Sequence, residues 1–472
     1  MATIVANKRA CTRVDSQEAL LDAITPVAAY DTLRRVLPGA SFLLESAPAP
    51  DECSRFSIIG VGAIGELIAR RGSVTIQTSR GETRLPAAEL LEACRGFMRD
   101  CAPANGGDAH FLGAYGVASF ELAGYFEKLY LPGADDSDIP DLHLIVPNVV
   151  VVFDHLTHRV TASVLAGREL EFSAVEVLAL LCDARLPKLS LAEAESITRL
   201  SSAARYCGNV ERAKEAIVAG EALQIVLSQE WRVRSASDPL HVYRSLRSIN
   251  PSPYMFYVDF GYGQLLGSSP EALCRSDGVR ARVRPLAGTR PRPLDRSSER
   301  AVAAELQRDP KERAEHVMLV DLARNDLGRV CRYGSIDASD LFSVERYSHV
   351  LHLASEVQGT LRDDCDAFDL FAATYPAGTV SGAPKIRALQ IIGELESAPR
   401  RTYGGSVVYF GFDGSLDACI TLRSAFFADG DYSVRAGAGI VADSVAEREE
   451  AECRAKAGAL LAALNVPQQA AL

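Results

Sequence analysis

Short β-branched and aromatic runs alternate with polar turns through the first part of the chain, roughly Ser16 to Leu186: SFLLES, RFSIIGVG, GSVTIQT, GAYGVASF and a long VVVVF run. Runs of this length bounded by turn residues read as strands, so residues 16–186 are expected to form a strand-rich region with a few helices. From about Tyr206 the pattern changes. Helix-period segments such as NVERAKEAIVAGEAL and AEREEAECRAKAGALLAAL stand between strand-like YMFYVDF, GGSVVYFGF and YSVRAGAGIV, and this second region covers 203–464. The stretch from Lys188 to Ala204, rich in Ser, Ala, Leu and Glu without a strong period, is placed as a connection, either linker or helix. Turn signals such as DGSL and DGDY between strands argue for hairpins, and no repeat at solenoid spacing is present. The fold class expected is α/β of the α+β type, with mainly antiparallel sheets and helices around them.

At 472 residues, 48% hydrophobic and 24% charged, the chain can bury one very large core or several ordinary ones. The opening MATIVANKRACTR has no sustained apolar stretch, and the longest apolar segment, LHLIVPNVVVVF, is broken by Pro147 and Asn148. Neither export nor membrane insertion is expected, which makes the expected location cytoplasmic. The eleven cysteines are scattered singly without a CxxC pair, as buried thiols in a reducing compartment would be. A net charge of −11 opposes nucleic-acid binding, which requires cations to displace counterions. A small-molecule enzyme or a protein partner fits that balance better.

Candidate chemistry begins with clustered carboxylates. In RDPKERAEHVMLVDLARNDLG, Asp309 followed by Pro310 reads as an N-cap with proline at the first helical position, and Glu312 and Glu315 then share one helical face. Glu312, three residues after the cap, could simply close a capping box; Glu315 has no such explanation. In AEREEAECRAK, Glu449 and Glu452 are again three apart, with Lys456 one turn beyond Glu452. Alone, that helix reads more often as a solvated face with an i,i+4 ion pair. If the two helices converge, however, one carboxylate from each can hold Mg²⁺, which takes few protein oxygens and leaves positions for water and a carboxylate substrate.

Two glycine-containing strings add anion-binding potential. In RAGAGIV, Gly437 and Gly439 follow a strand-like YSV and either form a turn or let backbone amides approach an anion closely. PAGTVSGAPKIRA leads into a helix and offers either orphan amides or a plain structural turn. Neither GxGxxG nor GxxxxGK[ST] occurs, so nucleotide binding has no support. These local arguments reach a Mg²⁺-dependent enzyme for a small carboxylate and stop there.

Taken in order, SPYMFY, GSSPE, RPLAGTRPR, DPKERAEHVMLVDLARNDLGRV, VLHLASEVQGTL, YPAGTVSGAPKIRA, YGGSVVYF, DACITLR, AGAGIV and EREEAECRAK resemble the chorismate-utilising family, whose members include anthranilate, aminodeoxychorismate, isochorismate and salicylate synthases. The resemblance spans most of the chain. It implies two facing antiparallel sheets wrapped by helices, with an amino-terminal part supporting a chorismate-binding catalytic part. It also implies Glu315 and Glu452 as Mg²⁺ ligands, with Glu312 and Glu449 as acidic neighbours. Tyr403, Arg423, the backbone at Gly437 and Gly439, Lys456, and Gly288 with Thr289 of RPLAGTRPR would bind substrate, and Thr379 would contact the ring carboxylate region. Arginine's planar fork suits the second carboxylate of chorismate. Glu271 of GSSPE matches a general acid that protonates the departing ring hydroxyl, a role that requires a raised pKa. His352 of VLHLASEV matches a residue associated with loss of pyruvate, although a lone histidine among apolar residues is more often a satisfied core side chain.

Within that family, two positions discriminate by chemistry. Water-adding members have a lysine base where this chain has Gln224; glutamine cannot take a proton from water, so ammonia is the implied nucleophile. Many aminodeoxychorismate synthases have a nucleophilic lysine where Ala287 stands. The resemblance therefore points to the anthranilate synthase branch, with nitrogen supplied as free ammonia or by a separate glutamine amidotransferase subunit. The LLES string, including Leu44, Glu45 and Ser46, together with Asn250, Pro253, Tyr254 and Met255 of NPSPYMF, resembles elements that bind the feedback inhibitor L-tryptophan. Pro293 stands where the family often has glycine. The alternatives left open are a synthase that stops at 2-amino-2-deoxyisochorismate, an aminodeoxychorismate synthase, and a non-catalytic regulatory binding subunit.

Overall fold

The computed structural model describes residues 13–46, 55–70, 72–104, 111–129, 131, 139–166, 172–293, 295–346 and 350–467. The first residues, which bear on export, lie outside this set, as does the side chain of Thr289. Two twelve-stranded sheets form the frame, and every recorded strand pairing, from Arg13–Leu20 with Arg159–Ala166 to Gly113–Ala118 with Leu142–Val146, is antiparallel. The first sheet runs through Arg13–Leu20, Arg159–Ala166, Val149–Asp154, Phe56–Val61, Ser41–Glu45, Tyr254–Asp259, Gln264–Ser269, Ser424–Ala428, Asp431–Ile440, Gln224–Arg234 and Ser196–Arg199. The second runs from Leu286–Pro291 and Val350–Thr360 through Arg280–Val283, Ala272–Ser276, Leu416–Ile420, Ser406–Gly411 and Gly113–Ala118 to Leu142–Val146, Gly65–Arg70 and an edge hairpin. Both sheets therefore interleave strands from early and late in the chain.

The runs expected to be strands are strands, because β-branched residues fit a pleated surface buried on both sides. The DGDY signal makes the expected hairpin: Asp429 and Gly430 both take positive φ, 52° and 83°, as the turn twist of a tight hairpin requires. Of the two alternatives for the connection, linker or helix, the linker is found over most of it. Residues 184–195 carry no regular element, and Ser196–Arg199 pairs as a strand with Gln224–Arg234. The segment has no apolar period to bury, so a sheet edge rather than a helix takes it.

Aromatic side chains fill the space between the sheets. Phe42 of the first sheet stacks on Tyr115 of the second with ring centroids 4.4 Å apart, and Tyr115 lies 4.8 Å from Tyr409. Helices cover the outer faces. Ala446–Ala463 lies on Asp431–Ile440 of the first sheet, whereas Pro310–Gly328 lies on Leu286–Pro291 and Val350–Thr360 of the second. The nine described cysteines are free and most are buried, and no helix among the described residues is long and apolar enough to cross a membrane. Replacing Phe42 with Ala would remove a fully buried ring from the seam between the sheets, and should cost about 3–5 kcal/mol. Thermal denaturation of Phe42→Ala against the parent checks this; an unchanged melting temperature would contradict the inter-sheet core.

Candidate active site

The two acidic helices approach one another although they ride on different sheets. Asp309 caps Pro310–Gly328 by accepting from the backbone N–H groups of Lys311 and Glu312 at 2.9 and 3.3 Å. The capping-box explanation for Glu312 does not hold. Its carboxylate instead receives Arg290 Nη1 at 2.9 Å, while Arg290 Nη2 reaches Asp309 at 2.9 Å. Burial raises the pKa of Glu315, and the negative charges of Glu312, Glu452 and Glu449 raise it further. Burial likewise raises that of Glu449, with Glu452 adding to it. The ion pair anticipated for the second helix also exists: Lys456 Nζ lies 2.7 Å from Glu452, both about half exposed.

No group of three or more His, Cys, Asp or Glu is gathered at metal-holding distance among the described residues. A hard cation that keeps several waters and one or two carboxylates does not need such a group. The donor set is all oxygen, and the mutual repulsion that raises Glu315 and Glu449 is what a divalent cation relieves. The residues therefore fit Mg²⁺ on chemistry, with Glu315 and Glu452 on separate helices close enough for the charge of Glu452 to raise Glu315.

Glu271 sits just before Ala272–Ser276 and is only 8% exposed. Thr379 Oγ1, on the short helix Gly378–Ser381, donates to Glu271 Oε1 at 2.9 Å. Burial pushes the carboxyl pKa up from 4.5 to about 8, against the lowering influence of that hydrogen bond and of the Lys456 and Arg423 charges. A carboxyl protonated near neutrality beside two cations is able to donate a proton.

The opposite wall carries His352, which is 8% exposed. Its Nδ1 donates to the carbonyl of Gly288 at 2.9 Å, which leaves Nε2 as the acceptor nitrogen. Burial, with Arg423 and Lys456 nearby, lowers its pKa to about 4, so the ring is neutral. Gly288 also lies against the Glu312 carboxylate, where a Cβ would come within 2.9 Å. Thr289 is paired in register with His352.

Gly437 and Gly439 are not in a turn. They lie inside Asp431–Ile440, opposite Ser228 and Val226 of the neighbouring strand. A Cβ on Gly437 would meet Tyr403 Oη at 2.6 Å and one on Gly439 would meet Gln224 Nε2 at 2.7 Å, so glycine there keeps both polar groups against the strand. Lys456 Nζ donates to Gly437 O at 3.0 Å. Burial raises the Tyr403 pKa far above the usual phenol value. Arg423, held at φ 46°, accepts a backbone hydrogen bond from Ser268 at 3.1 Å.

The residues singled out for an inhibitor divide. Leu44, Glu45, Ser46, Tyr254 and Met255 line a cavity of about 270 Å³ between the sheets, closed on the far side by Tyr409, Asp417 and Cys419. Asn250 and Pro253 do not line it; Asn250 ends helix Pro239–Ile249 and bonds Ser268 Oγ. Glu45 is buried, paired with Arg247 at 3.0 Å and bonded by Tyr243 at 2.8 Å.

Sequence reasoning passed over two buried cations behind the site. Lys385, read only as part of a loop-to-helix string, pairs with Asp326 at 2.8 Å and donates to Thr374 O at 3.0 Å. Arg400 and Glu396 form a buried pair at 2.7 Å. Pro399, immediately before Arg400, already ends the helix Lys385–Leu395 short of the pair, but nothing local shows that the two charges are buried together.

The chain belongs to the family of chorismate binding enzymes, whose model matches residues 40–462. It is 44% identical over 459 residues to anthranilate synthase component 1 of Thermus thermophilus, covering 95% of this chain and 97% of that one. It is 38% identical to the component 1 of Acetivibrio thermocellus over 95% and 94% of the two chains. The structure resembles anthranilate synthase component I from Streptococcus pneumoniae, with TM-score 0.74 and 33% identity over 88% and 93% of the chains. The menaquinone-specific isochorismate synthase of Escherichia coli shares the fold, with TM-score 0.75 at 22% identity over 96% and 94%.

The Glu271 pKa has a consequence independent of catalysis. With its value raised from 4.5 to about 8 in the fold, the native state binds the extra proton between those limits. Stability therefore falls as pH rises through that window. Glu271→Gln should flatten this part of the melting temperature against pH curve; an unchanged slope would sink the assignment of a protonated Glu271.

Proposed function

We propose that the chain is the large subunit of an anthranilate synthase, which converts chorismate and ammonia to anthranilate and pyruvate. The observation that carries this reading is the protonated, buried Glu271, hydrogen-bonded by Thr379 and facing the charges of Lys456 and Arg423 beside converging carboxylates. Arg423 and Lys456 hold one substrate carboxylate, with the amides of the Gly437–Gly439 strand and Tyr403 beside them. Glu315 and Glu452 hold Mg²⁺, with Glu312 and Glu449 adjacent, and when bound the cation supplies neutralisation of the ring carboxylate.

Ammonia attacks the ring carbon next to that carboxylate, and the ring hydroxyl leaves as water with the proton of Glu271. Gln224, which carries no basic nitrogen, leaves water unactivated and suits ammonia as nucleophile. A ring proton is then lost and the enolpyruvyl ether bond breaks; the released enolpyruvate takes up a proton to leave as pyruvate, and the ring becomes aromatic. The neutral His352, donating through Nδ1 to Gly288, presents Nε2 for this second stage. Ammonia comes from a separate glutamine amidotransferase subunit, in keeping with the name component 1 carried by the relatives.

L-tryptophan, as inhibitor, fits the cavity lined by Leu44, Glu45, Ser46, Tyr254 and Met255. Tyr254 pairs in register with Ser269, whose Oγ donates to Ile420 O at 2.6 Å, and Ile420 N donates to Glu271 O at 3.0 Å. A ligand that prefers a displaced arrangement of these strands would thereby lower activity.

Chorismate, Mg²⁺ and ammonium incubated with the purified chain should yield anthranilate and pyruvate, resolved by chromatography and mass. Glu271→Gln should reduce turnover by roughly 10²–10⁴-fold, Glu452→Gln should abolish the Mg²⁺-dependent turnover, and His352→Met should accumulate the aminated intermediate that retains its enolpyruvyl group. An aminated product that still carries its enolpyruvyl group from the parent enzyme would move the assignment to a synthase that stops at that stage, and inertness towards chorismate would overturn it. Tryptophan should suppress turnover and raise the melting temperature of the parent but not of Leu44→Glu, in which a charge is placed in the cavity; an equal response from both would remove the cavity as the inhibitor site.

A further inference from the structure

Behind the proposed active site, Arg400 and Glu396 are buried at 4% and 7% exposure, yet each is fully engaged. Arg400 Nε and Nη2 reach the two Glu396 oxygens at 2.8 and 2.7 Å. The same guanidinium donates through Nη1 to Val380 O and through Nη2 to Val226 O, both at 2.6 Å. Glu396 in turn accepts from the backbone N–H of Ser228 at 2.7 Å and from its hydroxyl at 3.0 Å. The guanidinium lies 4.5 Å over the Phe120 ring, and Glu121 accepts the backbone N–H of Arg400 at 2.7 Å.

The three elements gathered here each carry a proposed site residue close in sequence to the contact with Arg400. Val380 follows Thr379, which bonds Glu271. Val226 lies two residues after Gln224 and opposite Gly439. Tyr403, whose hydroxyl lies beside Gly437, follows Arg400 in the same turn and donates its N–H to Arg400 O at 3.2 Å. Buried ion pairs are weak devices for stability, because desolvation offsets their attraction; one that forks onto two carbonyls of separate elements sets their spacing.

We infer that the Glu396–Arg400 pair is a positioning pair that fixes Thr379, Gln224 and Tyr403 relative to one another, by joining the Val380 and Val226 carbonyls through one guanidinium. This rests on the proposed reaction at Glu271. Lysine at 400 keeps the charge opposite Glu396 but cannot fork onto both carbonyls.

The test is a double-mutant cycle of Arg400→Lys with Thr379→Val in the chorismate and ammonium assay, with melting temperatures in parallel. An ångström of misplacement at Thr379 predicts roughly a hundredfold loss of kcat for Arg400→Lys, and the loss should be non-additive with that of Thr379→Val. A lysine variant with parental kcat, or strictly additive losses, would overturn the inference. If Arg400→Lys fails to fold, Ser228→Ala, which removes one donor to Glu396, carries the same cycle with a smaller loss, and additivity there overturns it equally. Inertness of the parent enzyme would instead refute the proposed reaction on which the pair's role depends.

Discussion

A carboxyl group taken out of water at the junction of two sheets sets the terms for the rest of this molecule. Glu271 can remain protonated to about pH 8 only because it is buried, and it can be useful only if its proton points at something. Strand Ala272–Ser276 of the second sheet begins one residue after it, and Gln264–Ser269 of the first sheet ends two residues before it. The segment that crosses between sheets therefore delivers the acid to the seam. Thr379 orients it, and Arg423 and Lys456 bias the adjacent space towards an anion without ionising it. Desolvation wins over two nearby cations, and that balance is what separates a proton donor from a salt bridge.

The architecture explains how charges from separate parts of the sequence converge on one place. One acidic helix lies on the first sheet and the other on the second, so Glu315 and Glu452 approach only because the sheets meet. Antiparallel pairing does the complementary work on the substrate side. The register of Asp431–Ile440 with Gln224–Arg234 puts Gly439 against Gln224 and Gly437 beside Tyr403, where any side chain would collide with those polar groups. The same interleaving carries backbone hydrogen bonds from the inter-sheet cavity to Glu271 within a few residues.

Much was legible before any coordinates. Strands with β-branched runs, the Asp309–Pro310 cap, the hairpin at Asp429–Gly430 and the paired glutamates at helical spacing follow from local physics that acts within a turn or two of chain. Ordered motifs extended that to the family and to Glu271 and His352, roles that composition alone left as ordinary buried side chains. Where local readings left alternatives open, distant partners decided between them. Glu312 pairs with Arg290 and not with its own cap, the RAGAGIV glycines extend the strand they follow, and Ser196–Arg199 pairs at a sheet edge. In each case a partner distant in sequence settled what the local pattern left open.

The sequence by itself determined which elements form and which side chains are capable of chemistry, because propensity, capping and periodicity are short-range properties. Only the tertiary structure decided which carboxyl is protonated, which glutamates repel one another and which arginine is buried, because desolvation and charge coupling depend on what lies across a few ångströms of space. Arg400 shows the division most clearly: nothing in its local sequence marks it as special, and burial makes it a brace that joins Glu396 to the Val380 and Val226 carbonyls.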